Sequence, residues 1–313
     1  MSQTGTDIDK AALLLQQGEL VAIPTETVYG LAANALDTKA VIKIFEAKNR
    51  PFFDPLIIHV SSIKDIELYC TNIPAIATDL LKTFSPGPLT LLLDKKNNVP
   101  DLVTSGLPQV AVRIPNHPLT LKLLKQVQLP LAAPSANPFG YISPTSAKHV
   151  DQQLGDKINY ILDGGECEIG VESTIAGFEG NKIIVYRLGG LAIEELEKFG
   201  TVELRINHSS NPQAPGQLKS HYAPRKPLIL GNVTELLLQH PGKKISVLSF
   251  HKTYPVTTKI LSPKKDLREA AHNLFAYLRE LDESDTELII AEKFPGNFLG
   301  RAINDRLERA AAK

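Results

Sequence analysis

Two basic side chains, a carboxylate and a histidine lie close together in the first fifth of the chain. Lys48 and Arg50 are two positions apart, Pro51 follows Arg50 directly, and Asp54 and His59 come after it. Arginine offers a planar fork to a phosphate or carboxylate and lysine offers a compact point charge, so the pair is suited to binding an anion. A structural role fits the pattern equally well, because a cation in a last helical turn interacts with the helix dipole. A histidine within a strand is also commonly a core residue.

Small and polar residues follow several apolar runs in the first two thirds of the chain. They occupy residues 24–31, 132–137, 143–146, 163–165 and 170–175. Ligands of α/β proteins commonly bind just beyond the ends of buried strands, where such hydroxyl and amide groups collect. Threonine, serine and glycine also form helix caps and tight turns, so each segment has a structural interpretation beside the functional one.

The sequence lacks the glycine-rich phosphate-binding motifs of the common nucleotide-binding folds. It contains neither G-x-x-x-x-G-K-[ST] nor G-x-G-x-x-G after a strand. No Ser-His-Asp order or metal-binding histidine pair stands out, and the two cysteines, Cys70 and Cys167, form no C-x-x-C arrangement. If the protein binds a nucleotide, side-chain cations and isolated backbone amides must hold the phosphates.

Short apolar runs alternate with amphipathic stretches over residues 1–204. Residues 37–48 are predicted to form a helix, with Asp37 as the N-cap and an apolar face built from Val41, Ile44 and Phe45. Pro51 prevents its continuation. Strands are predicted near Ile175 and at residues 20–23, 56–60, 89–93, 110–115, 129–133 and 183–186. Strands in mixed order with helices packed on the sheet indicate an α/β or α+β domain.

The composition changes after Gly200. Residues 208–216 are polar and rich in proline, as linkers are. Strand-like runs then occur at residues 228–230, 245–248 and 288–290, and a helical apolar stripe runs from Leu267 to Leu281. We therefore predict a first domain over residues 1–204, a linker or lid over 205–226 and a small C-terminal α/β domain over 227–313.

The bulk composition is typical of a soluble, cytoplasmic protein. The 313 residues include 34 Lys plus Arg and 34 Asp plus Glu, so no global positive field favours non-specific binding of nucleic acid. The N-terminus does not resemble a secretory signal, and no apolar run approaches the ~20 residues that span a bilayer. The last helix, near residues 299–312, carries Arg301, Arg306 and Arg309, which we expect on a solvated face.

Taken together and in order, these motifs closely resemble the YrdC-like family of L-threonylcarbamoyladenylate synthases, over residues 14–191. The run A-P-G-Q-L-K-S-H-Y-A-P at residues 214–224, with the small domain after it, is similar to the two-domain (Sua-type) branch. The ordered set is specific, although no single motif is. The resemblance implies an α/β fold in which a twisted mixed sheet carries a basic cavity, followed by a small Rossmann-like C-terminal domain.

The resemblance also implies roles for individual residues. The catalytic Lys, Arg, Ser and Asn of the family fall on Lys48, Arg50, Ser135 and Asn137. Threonine recognition carries over to Thr27, His59, Arg113, Ser173 and the backbone of Ala133. ATP contacts carry over to Arg50, Ser135, Ser143, Arg187 and Tyr222, and further to Asp54 and Gln109. Many relatives have Asn where this chain has Asp54, and a carboxylate beside a triphosphate repels it unless Mg²⁺ or a base intervenes.

The activity implied by the resemblance joins L-threonine, bicarbonate and ATP into threonylcarbamoyl-AMP, with release of pyrophosphate. A separate threonylcarbamoyl-transferase complex would then use the product to modify tRNA. Mg²⁺ is expected to arrive with ATP, without protein ligands, and neither zinc nor an organic cofactor is expected. Such phosphoryl chemistry needs positioning and charge neutralisation rather than a nucleophile. We expect residues 215–222 to close over the cavity as a lid, with Tyr222 and His221 against the nucleotide; an inert spacer is the alternative.

Two other functions remain open from the sequence. An RNA-binding module would bind nucleotide incidentally, and its RNA affinity would fall steeply with salt. A carbamoyl-transfer domain of the hydrogenase-maturation type resembles the same fold. Those proteins carry zinc-finger cysteines and an acylphosphatase segment, which are absent from this sequence.

Overall fold

The computed structural model describes residues 3–206 and 220–312, which contain two β-sheets. The strands of the larger sheet are β1 (Gln3–Gly5), β2 (Val21–Ile23), β3 (Gly30–Asn34), β4 (Ile57–His59), β5 (Leu89–Asp94), β6 (Gln109–Arg113), β7 (Leu131–Ala132), β8 (Tyr160–Leu162), β9 (Thr174–Glu179), β10 (Lys182–Arg187) and β11 (Thr201–Leu204). They are hydrogen-bonded in the order β1-β8-β2-β3-β7-β4-β6-β5-β9-β10-β11. Parallel and antiparallel pairs both occur, as predicted for a mixed sheet.

Eight helices accompany this sheet in the described residues. They are α1 (Ile8–Gln16), α2 (Thr38–Lys48), α3 (Ile63–Tyr69), α4 (Ala75–Phe84), α5 (Asp101–Thr104), α6 (Pro118–Val127), α7 (Ala147–Leu154) and α8 (Ile193–Leu196). Every strand predicted in this part of the chain is present. Strands β1, β3, β8 and β11 were not predicted, because they are short, polar or built of small residues and so carry little alternating pattern.

Helix α2 forms as the sequence predicts. The Asp37 side chain accepts a hydrogen bond from the Lys39 backbone N–H at 2.9 Å, which caps the helix N-terminus. Val41, Ile44 and Phe45 are buried. The helix ends at Asn49 in the left-handed conformation, with φ of 51°. This turn redirects the chain so that Lys48 and Arg50 both lie in the interior, at 1% and 8% exposed.

The centre of the large sheet brings two predicted site residues side by side. Strand β4 pairs in parallel with β6, and His59 stands opposite Arg113. Strand β5 runs antiparallel on the other side of β6, with Thr90 opposite Arg113. Residues opposite one another on adjacent strands share a face of the sheet, so the register gathers these polar side chains at one place.

The smaller sheet is wholly parallel and consists of β12 (Leu228–Leu230), β13 (Ile245–Ser249), β14 (Thr257–Ile260) and β15 (Leu288–Ala291), in the order β12-β15-β13-β14. Its helices are α9 (Val233–Gln239), α10 (Leu267–Glu283) and α11 (Leu299–Ala311). The three predicted strands and both predicted helices are present. Strand β14 was not predicted, since Thr257–Ile260 is a half-exposed edge strand with few apolar residues.

An apolar cluster joins the two parts of the chain. Val28, Ile142 and Val171 belong to the first part and pack in one buried cluster with residues of α10 and α11, among them Leu274 and Leu307. The placement of α11 corrects one expectation. Arg306 and Arg309 are only 1% and 3% exposed, so the prediction of a solvated arginine face is wrong for both of them. The exact limits of the predicted domains and linker stay predictions, and residues 207–219 lie outside the described residues.

A buried polar cavity at the centre of the sheet

Nine of the predicted site residues line one cavity. Its walls come from the turn after β2, the ends of β4 and β6, the segment after β7, the residues before β9, the end of β10 and the backbone near residue 222. The predicted residues that line it are Thr27, Arg50, His59, Arg113, Ala133, Ser135, Ser173, Arg187 and Tyr222. Residues far apart in the chain thus converge on a site rich in arginine and hydroxyl groups.

Arg113 is fixed by partners on two sides. Its Nη2 lies 2.7 Å from Oε1 of Glu26, and its Nε donates to the Gly87 carbonyl oxygen at 3.2 Å. The other carboxylate oxygen of Glu26 accepts from the Asn116 backbone N–H at 3.0 Å. Sequence reasoning gave Glu26 no role. The available signal was a carboxylate placed directly after a buried strand, where a charged side chain requires a partner.

His59 is buried beside Arg113. Burial, followed by the positive charge of Arg113, lowers the pKa of His59 from 6.5 to about 3, so the imidazole is neutral at physiological pH. Its Nδ1 is buried and has no hydrogen-bond partner among the described residues. Backbone groups of Ile57 and Leu131 interact with the ring and oppose part of this pKa shift, which leaves Nδ1 as the atom available to a ligand. It can donate to or accept from a small polar ligand in the cavity.

Ser173 and Arg187 form a second fixed group on the cavity wall. The Ser173 hydroxyl lies 2.7 Å from the Thr90 hydroxyl. The guanidinium of Arg187 donates from Nε to the Ser173 carbonyl oxygen and from Nη2 to the Ser173 hydroxyl, both at 3.0 Å. Burial lowers the pKa of Arg187 to about 10, which leaves it protonated at neutral pH. This group joins strands β5, β9 and β10 at the cavity.

Thr27 belongs to a hydrogen-bonded turn that is also part of the cavity wall. The Thr25 hydroxyl donates to the Val28 carbonyl oxygen at 2.6 Å and lies 2.8 Å from the Thr27 hydroxyl. Both threonines are buried and line the cavity. The same residues form the turn and line the cavity. The structural and the functional interpretation of residues 24–31 are therefore compatible.

Arg50 lines the cavity, whereas Asp54 lies behind it. The carboxylate of Asp54 is 3.0 Å from Arg50 Nη2 and is fully buried. Arg50 also donates to the carbonyl oxygens of Asp54 and Pro55 at 3.1 and 2.8 Å. Because Asp54 is paired with Arg50, its charge orients that guanidinium instead of facing the cavity alone.

Lys48 and Asn137 do not line the cavity, but they bond the backbone of the segment that does. The Nζ of Lys48 donates to the carbonyl oxygens of Ser135 and Asn137, at 2.5 Å each. The Asn137 amide donates to the carbonyl oxygens of Pro138 and Tyr141 at 3.0 and 2.8 Å. Burial, followed by the charge of Arg50, lowers the pKa of Lys48 well below its usual value. These contacts fix the segment that presents Ser135.

Ser143 and Gln109 also lie off the cavity surface. The Ser143 hydroxyl donates to a carboxylate oxygen of Glu172, which does line the cavity. It does not cap α7, because Ser146 is the N-cap of that helix. Gln109 stands at the far end of β6 from Arg113 and donates to the Asp94 carboxylate at 3.3 Å.

His221 and Tyr222 close one side of the cavity. They are 6% and 1% exposed, and Tyr222 has a positive φ of 62°. The His221 ring meets the Tyr222 ring at 4.2 Å between centroids and the Phe139 ring at 5.7 Å. The remainder of the predicted lid, residues 215–219, lies outside the described residues.

The described part of the chain holds no group of three or more His, Cys, Asp or Glu side chains that could bind a metal ion. No helix in residues 3–206 or 220–312 is long and apolar enough to cross a membrane.

The fold and the cavity define a class of protein: a mixed α/β sheet with an arginine-lined interior site, joined to a small parallel α/β domain. The chain belongs to the Sua5/YciO/YrdC family, whose model, described as "Telomere recombination", matches residues 13–189. A second model, described as "Threonylcarbamoyl-AMP synthase, C-terminal domain", matches residues 191–312. The chain therefore has the two-domain form of this family.

Relatives from distant organisms match nearly the whole chain. A threonylcarbamoyl-AMP synthase of Pyrococcus abyssi is 42% identical, over 96% of this chain and 93% of that protein. One from Bacillus subtilis is 40% identical, over 99% of this chain and 94% of its own length. The crystal structure of P. abyssi Sua5 complexed with L-threonine superposes with a TM-score of 0.92 and 42% identity, covering 97% of this chain and 94% of that one.

Proposed function

We propose that the chain catalyses the formation of threonylcarbamoyl-AMP and pyrophosphate from L-threonine, bicarbonate and ATP. The observation that carries the proposal is the convergence of a fixed arginine, Arg113, a neutral histidine, His59, and two further arginines, Arg50 and Arg187, on one buried cavity. Family membership supports it, as does the L-threonine bound to the related P. abyssi protein.

The threonine half of the proposed site contains Arg113, His59, Thr27, Ser173 and the backbone of Ala133. Arg113, held by Glu26, presents a cation to the amino-acid carboxylate. The neutral ring of His59 and the hydroxyl of Thr27, which line the same cavity, would bond the threonine hydroxyl. Because these groups are buried, valine would leave them without a partner, which favours threonine over its isostere.

The reaction then needs no protein nucleophile. Bicarbonate takes up a proton and loses water to give CO₂. The threonine amine adds to this CO₂ and loses a proton, which forms a carbamate. A carbamate oxygen attacks the α-phosphorus of ATP; a new P–O bond forms and the bond to pyrophosphate breaks. Such a displacement depends on alignment and on neutralisation of charge. Arg50 and Arg187 would neutralise the phosphates, while Lys48 holds the Ser135 segment in place.

The nucleotide half of the proposed site contains Arg50, Ser135, Arg187 and Tyr222. Ser143 would act through Glu172 and Asp54 through Arg50, since these are their partners. Gln109 keeps a proposed ATP contact, although its present partner is Asp94. The catalytic assignment of Lys48 and Asn137 is proposed to operate through the backbone of the Ser135 segment.

Mg²⁺ is proposed to arrive with ATP. Three carboxylates at the cavity wall, Glu26, Asp54 and Glu172, are paired with Arg113, Arg50 and Arg306, so none offers a vacant set of metal ligands. Phosphate oxygens and water are the ligands that Mg²⁺ commonly uses in such sites. The ion would supply charge neutralisation at the leaving pyrophosphate.

The segment that includes His221 and Tyr222 is proposed to act as a lid that excludes water from the labile product. Its test is Tyr222→Ala, for which we expect weaker ATP binding and a lower product yield. Unchanged values for both would favour the inert spacer. The product is proposed to pass to a separate transferase complex acting on tRNA, and the protein is proposed to work in the cytoplasm.

The proposed function is tested by measuring pyrophosphate release with threonine, bicarbonate or ATP omitted in turn. We expect release only when all three are present. Equal release without threonine would refute the proposed reaction. RNA binding that falls with salt, without threonine-dependent pyrophosphate release, would instead support the RNA-binding alternative.

A further inference from the structure

Helix α11 of the C-terminal part contributes a buried arginine to the back of the cavity wall. The Nε of Arg306 lies 2.8 Å from Oε2 of Glu172, a residue that lines the cavity. Its Nη2 donates to the Leu188 carbonyl oxygen at 2.8 Å, one residue beyond Arg187, and its Nη1 pairs with Asp305. Each of the three guanidinium nitrogens therefore has a protein partner, and Arg306 is only 1% exposed.

Glu172 needs this partner. Burial alone would raise the pKa of its carboxyl, but the charges of Arg306 and Arg187 and the Ser143 hydrogen bond outweigh burial and lower it. The carboxylate is therefore ionised, in a residue that lines the cavity. Without Arg306 it would present a poorly neutralised negative charge to the cavity, which opposes the binding of a polyphosphate.

Arg306 also holds Tyr222. Its Cζ lies 4.7 Å from the centroid of the Tyr222 ring, and the Cζ of Arg309 lies at the same distance. Phe275 of α10 stacks on the ring at 5.6 Å. A positive φ is unfavourable for a large side chain and persists only where the surroundings hold it. Three of the residues that contact the Tyr222 ring, Phe275, Arg306 and Arg309, thus belong to the C-terminal helices.

The partners of Arg113, the cation of the threonine half, are Glu26 and Gly87, both in the first part of the chain. Ser173 is bonded to Thr90 and to Arg187, which also belong to the first part. Arg306 therefore reaches the threonine half only indirectly, through Glu172 and Leu188, the chain neighbours of Ser173 and Arg187.

We propose that Arg306 is a positioning residue for the nucleotide: it neutralises Glu172 and seats Tyr222, so that the C-terminal domain completes the ATP half of the site. The proposal rests on the proposed function for the identity of the ligand. It predicts that loss of Arg306 weakens the binding of ATP and spares that of threonine.

The experiment compares Arg306→Gln and Arg306→Lys with the wild-type chain, using titration calorimetry with ATP and, separately, with L-threonine. For Arg306→Gln we expect the Kd for ATP to rise about tenfold or more, with the Kd for threonine within about twofold of the wild-type value. Arg306→Lys keeps the charge and loses the planar fork, so an intermediate rise of about threefold is expected. Arg301→Gln is the matched control, because Arg301 lies on the same helix and pairs with Glu194 outside the cavity.

Thermal unfolding establishes that each variant is folded. An unchanged Kd for ATP in Arg306→Gln would overturn the proposal, and so would an equal loss of affinity for both ligands, which indicates general damage. If Arg306→Gln does not fold, the lysine variant decides, and a wild-type Kd for ATP in that variant overturns the proposal. If the wild-type protein binds both ligands but releases no pyrophosphate, the proposed reaction is refuted. The comparison of Kd values between the Arg306 variants and the wild-type chain remains valid, because it measures binding alone.

Discussion

The guanidinium of Arg113 and the carboxylate of Glu26 form an ion pair inside the cavity wall, 2.7 Å apart and each only 4% exposed. Arg113 ends β6, and Glu26 lies in the turn after β2, so the pair links two strands that are not neighbours in the sheet. A buried charge pair of this kind is held by further hydrogen bonds, here from Arg113 to Gly87 and from Asn116 to Glu26. The arginine is thereby oriented before any ligand binds.

Arg113→Ala is expected to raise the Kd for threonine by about thirtyfold or more, because a charge-assisted contact contributes about 2 kcal/mol. It also leaves Glu26 buried without its cation, so the melting temperature should fall. The control is Arg205→Ala, since Arg205 pairs with Glu179 and Glu203 at the surface. Calorimetric titration with threonine measures the effect. If Arg113→Ala bound threonine with wild-type affinity, Arg113 would not be the residue that binds the threonine carboxylate.

Lys48→Met is expected to lower kcat for pyrophosphate release by about a hundredfold, because misplacement of a positioned segment has effects of this size. The change removes both hydrogen bonds to the carbonyl oxygens of Ser135 and Asn137. Lys43→Met is the matched control: Lys43 is on the same helix, half exposed, and pairs with Glu19. A kcat equal to that of the control would show that the Ser135 segment needs no anchor.

His59 is expected to contribute to the pH dependence of stability. Its pKa is lowered from 6.5 to about 3 in the folded protein, so between these values the unfolded chain binds the proton and the folded one does not. The free energy of unfolding therefore falls as the pH is lowered through this range, by at most about 1.4 kcal/mol per pH unit from one group.

The variant that tests this is His59→Gln, which removes the titrating group. Urea unfolding between pH 7 and pH 4 should show a shallower loss of stability for the variant than for the wild-type protein. At pH 7 and above, the difference between the two should be constant with pH. Parallel curves over the whole acid range would mean that the folded protein protonates His59 normally.

Gly189→Ala is expected to destabilise the protein by about 2 kcal/mol or more, because a Cβ at this position would overlap backbone atoms that cannot move aside cheaply. These atoms are the carbonyl groups of Glu172 and Ser173. Both residues line the cavity, so affinity for threonine and for ATP should fall together.

The control for this substitution is Gly296→Ala, where a Cβ would meet no atom within 4 Å. We expect its melting temperature to stay close to that of the wild-type protein. If Gly189→Ala unfolded at the same temperature as Gly296→Ala, the close approach at residue 189 would not constrain the site.

Local structure could be predicted from the sequence where one segment contains its own determinants. Helix α2 has its cap, its apolar face and its terminating residues within residues 37–51, and it forms as predicted. Polar residues near strand ends could likewise be singled out, the family resemblance assigned roles to individual residues, and nine of the assigned residues line the cavity. Their order along the chain was sufficient to place the protein in its family.

Only the tertiary structure decided which partner each charged side chain has. Arg306 and Glu172 are 134 positions apart, and Lys48 reaches the backbone of a residue 87 positions away. An arginine on a polar helix face has the same sequence pattern whether water or a buried carboxylate covers it. The arginine face of α11 was therefore predicted to be solvated. Glu26 against Arg113 follows the same rule. Periodicity reports the polarity of a face, and only the packing of distant elements determines its partner.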